Sequence, residues 1–274
     1  MMRCHYVSDL HLETQDFPWK LPRGDVLILA GDLCHAARLD PARTDMYSIN
    51  QRERVFRFAE QASAHFRHVL FVVGNHDHYD GLFDDTVTQL RRWLPGFTVL
   101  DNESAEIGGV RFFGSTLWSD FDGRSRVAMD RARKGMGEFF FVRVRERQPD
   151  ASLTVRKFRP EDAVAAFDTA RAALRQAVAD ASGRPLVVIT HHAPSLQGLN
   201  PLHQGNGLDC AYASDLDHEI RALGAIRYWV HGHTHIRRTY RIGDTDVLSN
   251  CRGFDGKDHS ARSFVPTSFF EIPS

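Results

Sequence analysis

Five short apolar segments, each ending abruptly at polar residues, constrain the fold of this chain more than any other feature. They read "CHYVSDLH", "DVLILAGD", "HVLFVVGNHD", "PLVVITHH" and "IRYWVHGHTH". Segments of this kind are typical of buried strands that are each followed by a loop. Helical patterns lie between them at 52–66, 82–94 and 160–179, and a shorter one at 214–223 is expected to be capped by Ser214. This alternation predicts an α/β fold.

Additional strands are predicted in two places, and they change the kind of sheet that we expect. "FTVL", "SAEI" and "VRFFGS" follow the second helix, and "TYRI", "DVLS" and "SFFEI" lie near the C-terminus. Because these strands are closely spaced, antiparallel pairs are expected among them. The sequence therefore predicts a mixed sheet, or two sheets packed together. In such folds ligands bind beyond the carboxyl ends of the strands, which is where the polar residues of the five segments lie.

Length and composition set the domain count and the compartment that we expect. With 274 residues and 42% hydrophobic content, the chain is predicted to form one domain over 1–274. No apolar run approaches the ~20 residues of a membrane span, and no signal-peptide pattern opens the chain, so a cytoplasmic location without a membrane partner is expected. Cys4, Cys34, Cys210 and Cys251 form no C-x-x-C pair and are predicted to be reduced thiols.

Residues 122–160 differ in charge from the rest of the chain. They hold eleven Lys or Arg against five Asp or Glu, whereas the whole chain has a net charge of −1. We interpret them as a basic, cap-like insertion that receives an anionic substrate, and an arginine-rich face exposed to solvent is the alternative. The loop at 194–213 follows His191 and is long enough to shape access to a site, although it is equally compatible with a rigid surface connection.

Several of the fifteen histidines cluster with Asp or Asn at the five strand ends. Residues two apart on an extended segment point to the same side, so Asp9 and His11 can converge on one metal ion. The same spacing lets His233 pair with either His231 or His235, and spacing alone does not choose between them. Adjacent His191 and His192 cannot both face the ion on a straight strand.

The ordered set "SDLH", "AGD", "GNHD", "THHAP" and "GHTH" resembles the pattern of the calcineurin-like metallophosphoesterases. The resemblance extends from Asp9 to His235. It implies a four-layer α/β/β/α sandwich of two mixed β-sheets flanked by helices, which agrees with the α/β prediction above.

The same resemblance implies two metal ions, and we name their sites the first and second positions. Asp9, His11 and His235 would form the first position, Asn75, His191 and His233 the second, and Asp32 would bridge them. Oxygen and imidazole ligands suit divalent or trivalent Mn, Fe or Zn, as well as Co or Ni. Two divalent ions held by two carboxylates keep about two positive charges, which attract phosphate and lower the pKa of a bridging water.

The reaction that the resemblance implies is phosphate-ester hydrolysis by a hydroxide that bridges the metal ions. We expect a phosphodiesterase with some monoesterase activity, in which His76 stabilises the transition state or protonates the leaving oxygen and Asp77 orients His76. A small phosphate ester or a nucleotide is the expected substrate. Nucleic acid stays open because the basic insertion favours it only weakly, and the sequence does not indicate an oligomeric state.

Two alternative functions are weighed against this one. A non-catalytic scaffold on the same fold would be expected to lack ligands or His76, and here the set is complete. A metallo-β-lactamase-like hydrolase requires H-x-H-x-D-H, but His235 and Ile236 replace the last two residues of that pattern.

The neighbours of the motif residues have less specific expectations. His192 is expected to support or contact the site, or to be an ordinary hydrogen-bonded loop residue, and His231 to pack without coordinating. Cys34 is expected to be a small buried residue, and His78 and Tyr79 to lie in a surface loop.

Overall fold

Two β-sheets packed face to face form the centre of the computed structural model, which describes residues 1–258 and 262–273. In spatial order the first sheet consists of β13 (Phe269–Ile272), β1 (Met2–Val7), β2 (Gly24–Ala30), β3 (Phe66–Val72) and β4 (Thr98–Leu100). β1 to β4 are parallel and β13 is antiparallel to β1. The carboxyl ends of β1, β2 and β3 therefore meet at one edge.

The second sheet is also mixed. It consists of β11 (Arg237–Ile242), β12 (Thr245–Asn250), β10 (Ile226–His231), β9 (Leu186–Thr190), β6 (Val110–Ser115) and β5 (Glu103–Ile107). The four inner strands are parallel, and the two edge strands are antiparallel to their neighbours.

Helices cover the outer face of each sheet. Against the first sheet pack α1 (Met46–His65) and α2 (Thr86–Trp93), through Val55, Phe58 and Leu90. Against the second sheet pack α6 (Pro160–Ala181) and α8 (Asp217–Leu223). Apolar side chains from the inner faces of both sheets form a core between them. The four-layer α/β/β/α sandwich is thus confirmed.

Residues 122–160 lie between β6 and α6. They contain most of α3 (Phe121–Arg124), then α4 (Arg126–Gly135), α5 (Glu138–Phe141), β7 (Arg143–Arg147) and β8 (Leu153–Lys157). β7 and β8 form a two-stranded antiparallel sheet of their own. A last short helix, α7 (Asp209–Tyr212), closes the loop at 194–213.

Three predicted helix starts are wrong, and the simplest case is α2, which begins at Thr86, four residues later than expected. α1 begins six residues earlier than expected, because the Asp45 side chain accepts a hydrogen bond from Ser48 N at 3.0 Å and caps the helix there. Ser214 does not cap α8, which begins at Asp217; its hydroxyl instead lies 3.4 Å from Asp120 N. The four cysteines are free thiols as predicted, and no helix among residues 1–258 and 262–273 is long and apolar enough to cross a membrane.

Candidate metal centre

The predicted ligands lie just beyond the strands, in an unusual backbone conformation. β1 ends at Val7 and β10 at His231, so Asp9, His11, His233 and His235 are not on extended segments. These four residues and Asp32 have φ between 47° and 66°, the left-handed region that non-glycine residues rarely adopt. The expectation that two-residue spacing on a strand brings them together is therefore wrong. Left-handed turns aim these side chains instead, at a cost of about 1–3 kcal/mol for each residue.

The first position brings together Asp9, His11 and His235 beside Asp32. One donor atom from each of the four residues lies within 4.8 Å of the others. His11 Nε2 lies 3.2 Å from His235 Nε2, and His235 Nε2 lies 3.4 Å from Asp9 Oδ1. Both Asp9 oxygens also accept a hydrogen bond from His233 N at 3.1 Å, which ties the first strand end to the last one.

The second position brings together Asn75, His191 and His233 on the other side of Asp32. Donor atoms of Asp32, His191 and His233 lie within 4.8 Å of one another. His191 Nδ1 lies 2.9 Å from the Ala30 carbonyl oxygen, to which it can only donate. In the neutral ring, Nε2 is then a bare acceptor, yet it faces Asn75 Oδ1 at 2.9 Å and Asp32 Oδ2 at 3.4 Å. These contacts need either a cation between the three atoms or a proton on Nε2; burial lowers the pKa of His191, but the Asp32 carboxylate outweighs it and raises that pKa to about 9.

Buried polar atoms without a hydrogen-bond partner also indicate that cations belong at this site. Asp32 Oδ2 and His233 Nε2 are buried and have no hydrogen-bond partner among the described residues. Buried polar atoms are normally paired, and each unpaired one costs about 1–3 kcal/mol. A donor set of carboxylate, amide and imidazole groups fits transition-metal ions. The residues present therefore fit a pair of metal ions.

Two glycines are required for this convergence. A Cβ atom on Gly232 would lie 2.6 Å from the Ala30 carbonyl oxygen and 2.8 Å from Asp9 Oδ2, closer than real Cβ contacts allow. Gly31 has a φ of 92°, and a Cβ there would collide with the His191 ring. Only glycine lets these strand ends approach so closely.

Two carboxylates that the sequence analysis did not identify support the histidines of the first position. Glu13 Oε1 lies 2.8 Å from His11 Nδ1, and Asp258 Oδ2 lies 2.6 Å from His235 Nδ1. Burial opposes ionisation of both carboxyls, but the neighbouring imidazoles outweigh it and lower their pKa. Each bond leaves the Nε2 atom of its histidine free to face the metal site. Glu13 could have been found by extending "DLH" to "DLHLE", whereas nothing local marks Asp258.

A third buried carboxylate supports the second position. The Asn75 amide donates to Glu138 Oε2 at 3.3 Å, which fixes the amide so that Oδ1 faces the site, and the Tyr79 hydroxyl lies 3.3 Å from the same Glu138 oxygen. Burial raises the pKa of Glu138. Glu138 comes from the 122–160 segment, so that segment contributes directly to the site.

His76 lies beside the first position, but Asp77 does not orient it. Asp77 accepts four backbone hydrogen bonds, at 2.7–3.0 Å, from Asp32, Leu33, Cys34 and Gly74. Its carboxylate thereby joins the "GD" and "GNHD" loops, and the predicted contact with His76 is wrong. Glu13 Oε1 lies 3.5 Å from the Nδ1 atom of the His76 ring, and Asp32 Oδ1 accepts the His76 backbone N–H at 2.8 Å. The Tyr79 ring stacks on the imidazole at 4.3 Å.

The other neighbours are mostly structural. His231 is fully buried, with Nδ1 3.0 Å from the Gly232 carbonyl oxygen and Nε2 3.3 Å from the Tyr240 hydroxyl, in agreement with a packing role. His192 is buried, with Nδ1 3.3 Å from the Thr116 carbonyl oxygen and its ring 4.1 Å from the ring of the predicted ligand His233, so it packs behind the site, in agreement with a supporting role. Cys34 is buried as expected, but His78 and Tyr79 are also buried, so their predicted surface location is wrong.

A cavity of about 340 Å³ opens beside both positions. Its walls are Asp32, Asn75, His76, His233 and His235, part of the 122–160 segment, the loop at 194–213, and Phe254 with Asp258. The 122–160 segment contributes Gly135, Met136, Gly137 and Glu138, none of them basic. Several of its arginines form ion pairs elsewhere, such as Arg124 with Asp168 and Arg145 with Asp85. None of the arginines of this segment lines the cavity.

Comparison with known proteins defines the class. The sequence model of the calcineurin-like phosphoesterases matches residues 2–237. The chain therefore belongs to the calcineurin-like phosphoesterase family and is a metal-dependent phosphoesterase, and this membership decides against the metallo-β-lactamase alternative. The family implies a dinuclear metal centre, for which the carboxylate and imidazole groups described above are candidate ligands.

Two individual similarities extend over nearly the whole chain. An uncharacterized protein, L509, of Acanthamoeba polyphaga mimivirus is 22% identical over 99% of this chain and 97% of its own length. The crystal structure of the phosphopantetheinyl hydrolase PptH from Mycobacterium tuberculosis has a TM-score of 0.57 and 17% identity, covering 94% of this chain and 93% of that one. The second similarity shows a shared fold.

Proposed function

We propose that the protein hydrolyses phosphodiesters at a two-metal centre and acts more weakly on monoesters. The observation that carries this proposal is the meeting of Asp9, His11, Asp32, Asn75, His191, His233 and His235 at one end of both sheets, with Asp32 shared between two groups. Bound Mn, Fe or Zn ions would supply Lewis acidity, which lowers the pKa of water and offsets charge on the phosphoryl oxygens.

The net charge around the metal centre favours a diester substrate over a monoester. The ligands alone would leave about two positive charges on two divalent ions, but Glu13 and Asp258 add two carboxylates in contact with ligand histidines. The surplus that the ligand set implies is thereby largely offset. Attraction to the metal centre scales with the charge of the substrate, so this offset weakens the binding of a diester with one negative charge less than that of a monoester with two.

The protein's own groups would act on the leaving oxygen. Water adds to phosphorus as the bond from phosphorus to the leaving oxygen breaks, and one proton passes to that oxygen. His76 lies on the cavity wall beside both positions, and Glu13 faces its Nδ1, so its ring is held in place to donate this proton or to stabilise the charge.

The test is hydrolysis of bis(p-nitrophenyl) phosphate in the presence of Mn. We expect turnover by the native protein, and a loss of at least about 100-fold in kcat after His76→Ala, within the range of general acid catalysis. Asp32→Asn should abolish turnover. Inactivity of the native protein with Mn, Fe and Zn, or unchanged rates in both variants, would overturn the proposal.

A further inference from the structure

The cavity beside the metal centre carries carboxylates and no lysine or arginine among the described residues that line it. Glu138, Asp209 and Asp258 all contribute to its wall. Asp258 pairs with His235, and Asp209 accepts the Gly205 N–H at 2.8 Å. Neither bond brings a fixed cation into the cavity. Among the described residues of this wall, Asp209 is the carboxylate that is neither a predicted metal ligand nor a partner of one, and no lysine or arginine in the wall offsets its charge.

Basic side chains near the cavity do not line it, and Arg131 lines a neighbouring pocket that shares Asp209. Arg238 donates to the Leu199 carbonyl oxygen at 2.7 Å, and the Lys257 ammonium lies 5.8 Å from the centre of the Phe254 ring. Leu199 and Phe254 line the cavity, but these two cations do not. A lining residue therefore separates each of these two cations from the cavity.

Aromatic side chains in the same wall add a second preference. Tyr79, Tyr212 and Phe254 line the cavity, and each stacks on a site histidine, His76, His233 and His11 respectively. The histidine covers one face of each ring, and the opposite face of an aromatic ring attracts ammonium groups, most strongly where water is excluded. The cavity thus combines carboxylates and aromatic rings, the two kinds of group that bind organic cations.

We propose that the cavity selects phosphodiesters whose organic part carries no negative charge, and that it favours a cationic alcohol such as a quaternary ammonium alcohol. This inference rests on the proposed function. The phosphate of a diester brings one negative charge to the metal centre, and a second one would face the carboxylates of the wall. Selection therefore includes repulsion of anionic alcohols as well as attraction of cationic ones.

Three p-nitrophenyl phosphodiesters that differ only in the retained alcohol test this selection. The alcohols are choline, its uncharged isostere 3,3-dimethylbutanol, and the carboxylate 3-hydroxypropanoate. We expect kcat/KM to fall in that order. Equal values, or a preference for the carboxylate, would overturn the inference while the proposed function stands. Hydrolysis of none of the three would overturn both.

A charge variant locates the selection in the cavity. Asp209→Asn should reduce the ratio of choline ester to carboxylate ester by about fivefold, the effect of one unit charge across a half-exposed site. Asp150→Asn is the matched control, since Asp150 also accepts a backbone N–H at 3.0 Å but lies on the β7–β8 hairpin outside the cavity.

The exposed residue Gln204 provides a second variant that leaves the fold intact, because it lies on the cavity rim. Gln204→Lys should shift the same ratio toward the carboxylate ester. An unchanged ratio in both Asp209→Asn and Gln204→Lys would show that the cavity does not set charge preference.

Discussion

The first and second metal positions share Asp32 but have different surroundings. In the first, both histidines bond to carboxylates that are held ionised, His11 to Glu13 and His235 to Asp258. In the second, His191 bonds to the neutral Ala30 carbonyl, and Asn75 bonds to Glu138, whose pKa is raised by burial. A carboxylate partner makes an imidazole a stronger ligand than a carbonyl does. We infer that the first position binds its ion more tightly, and that the second exchanges its ion more readily.

The largest expected effect comes from the residue that the two positions share. Asp32→Asn should weaken metal binding at both positions by more than about 100-fold, because loss of a ligand exceeds the 10- to 100-fold loss seen for groups that support ligands. Competition with a chromogenic chelator measures both affinities. A variant that keeps one ion at native affinity would show that Asp32 does not bridge.

The next effect separates the two positions. Asp258→Asn and Glu13→Gln should each weaken the first position by about 10- to 100-fold and leave the second near its native affinity. Asp255→Asn is the matched control, because Asp255 lies in the same segment as Asp258 but pairs with Arg252 at 2.7 Å. If the two variants weaken the second position instead, the inferred order of affinities is reversed.

A smaller effect is expected on the second position alone. Glu138→Gln retains an oxygen that can accept the Asn75 amide, so the second position should weaken by less than about tenfold. The same titration measures this change, with Glu13→Gln as the comparison. A greater loss at the first position than at the second would contradict the contact between Asn75 and Glu138.

The smallest effect on metal binding is expected at His231, which lies close in sequence to two predicted ligands. His231→Phe removes the hydrogen bonds to Gly232 and Tyr240, and should lower the free energy of unfolding by about 1–3 kcal/mol. Metal stoichiometry should not change. Urea unfolding of the metal-free protein and metal analysis of the loaded protein measure the two quantities, and a lost ion would make His231 a ligand.

Much of the fold follows from the sequence because its signals are local. Runs such as "DVLILAGD" show where a strand ends, and the helical pattern from Pro160 predicts α6 within two residues of its end. The order of the five strand ends, matched to a known pattern, indicated the family and the ligand set. Helix starts were less predictable at Asp45 and Ser214, because a cap depends on which backbone N–H the side chain reaches.

The supporting groups and the cavity depended on the tertiary structure. Asn75 and Glu138 are 63 residues apart, and His235 and Asp258 are 23 apart, with no periodic pattern that connects them. Likewise, the arginines of 122–160 gave that segment a basic composition, but packing paired several of them with surface carboxylates and placed Glu138, rather than an arginine, in the cavity wall. The sequence determined which side chains were available and which strands would carry them. Only the packing of two sheets, with left-handed turns at their ends, decided which of those side chains face one another, because such contacts join residues that are distant along the chain.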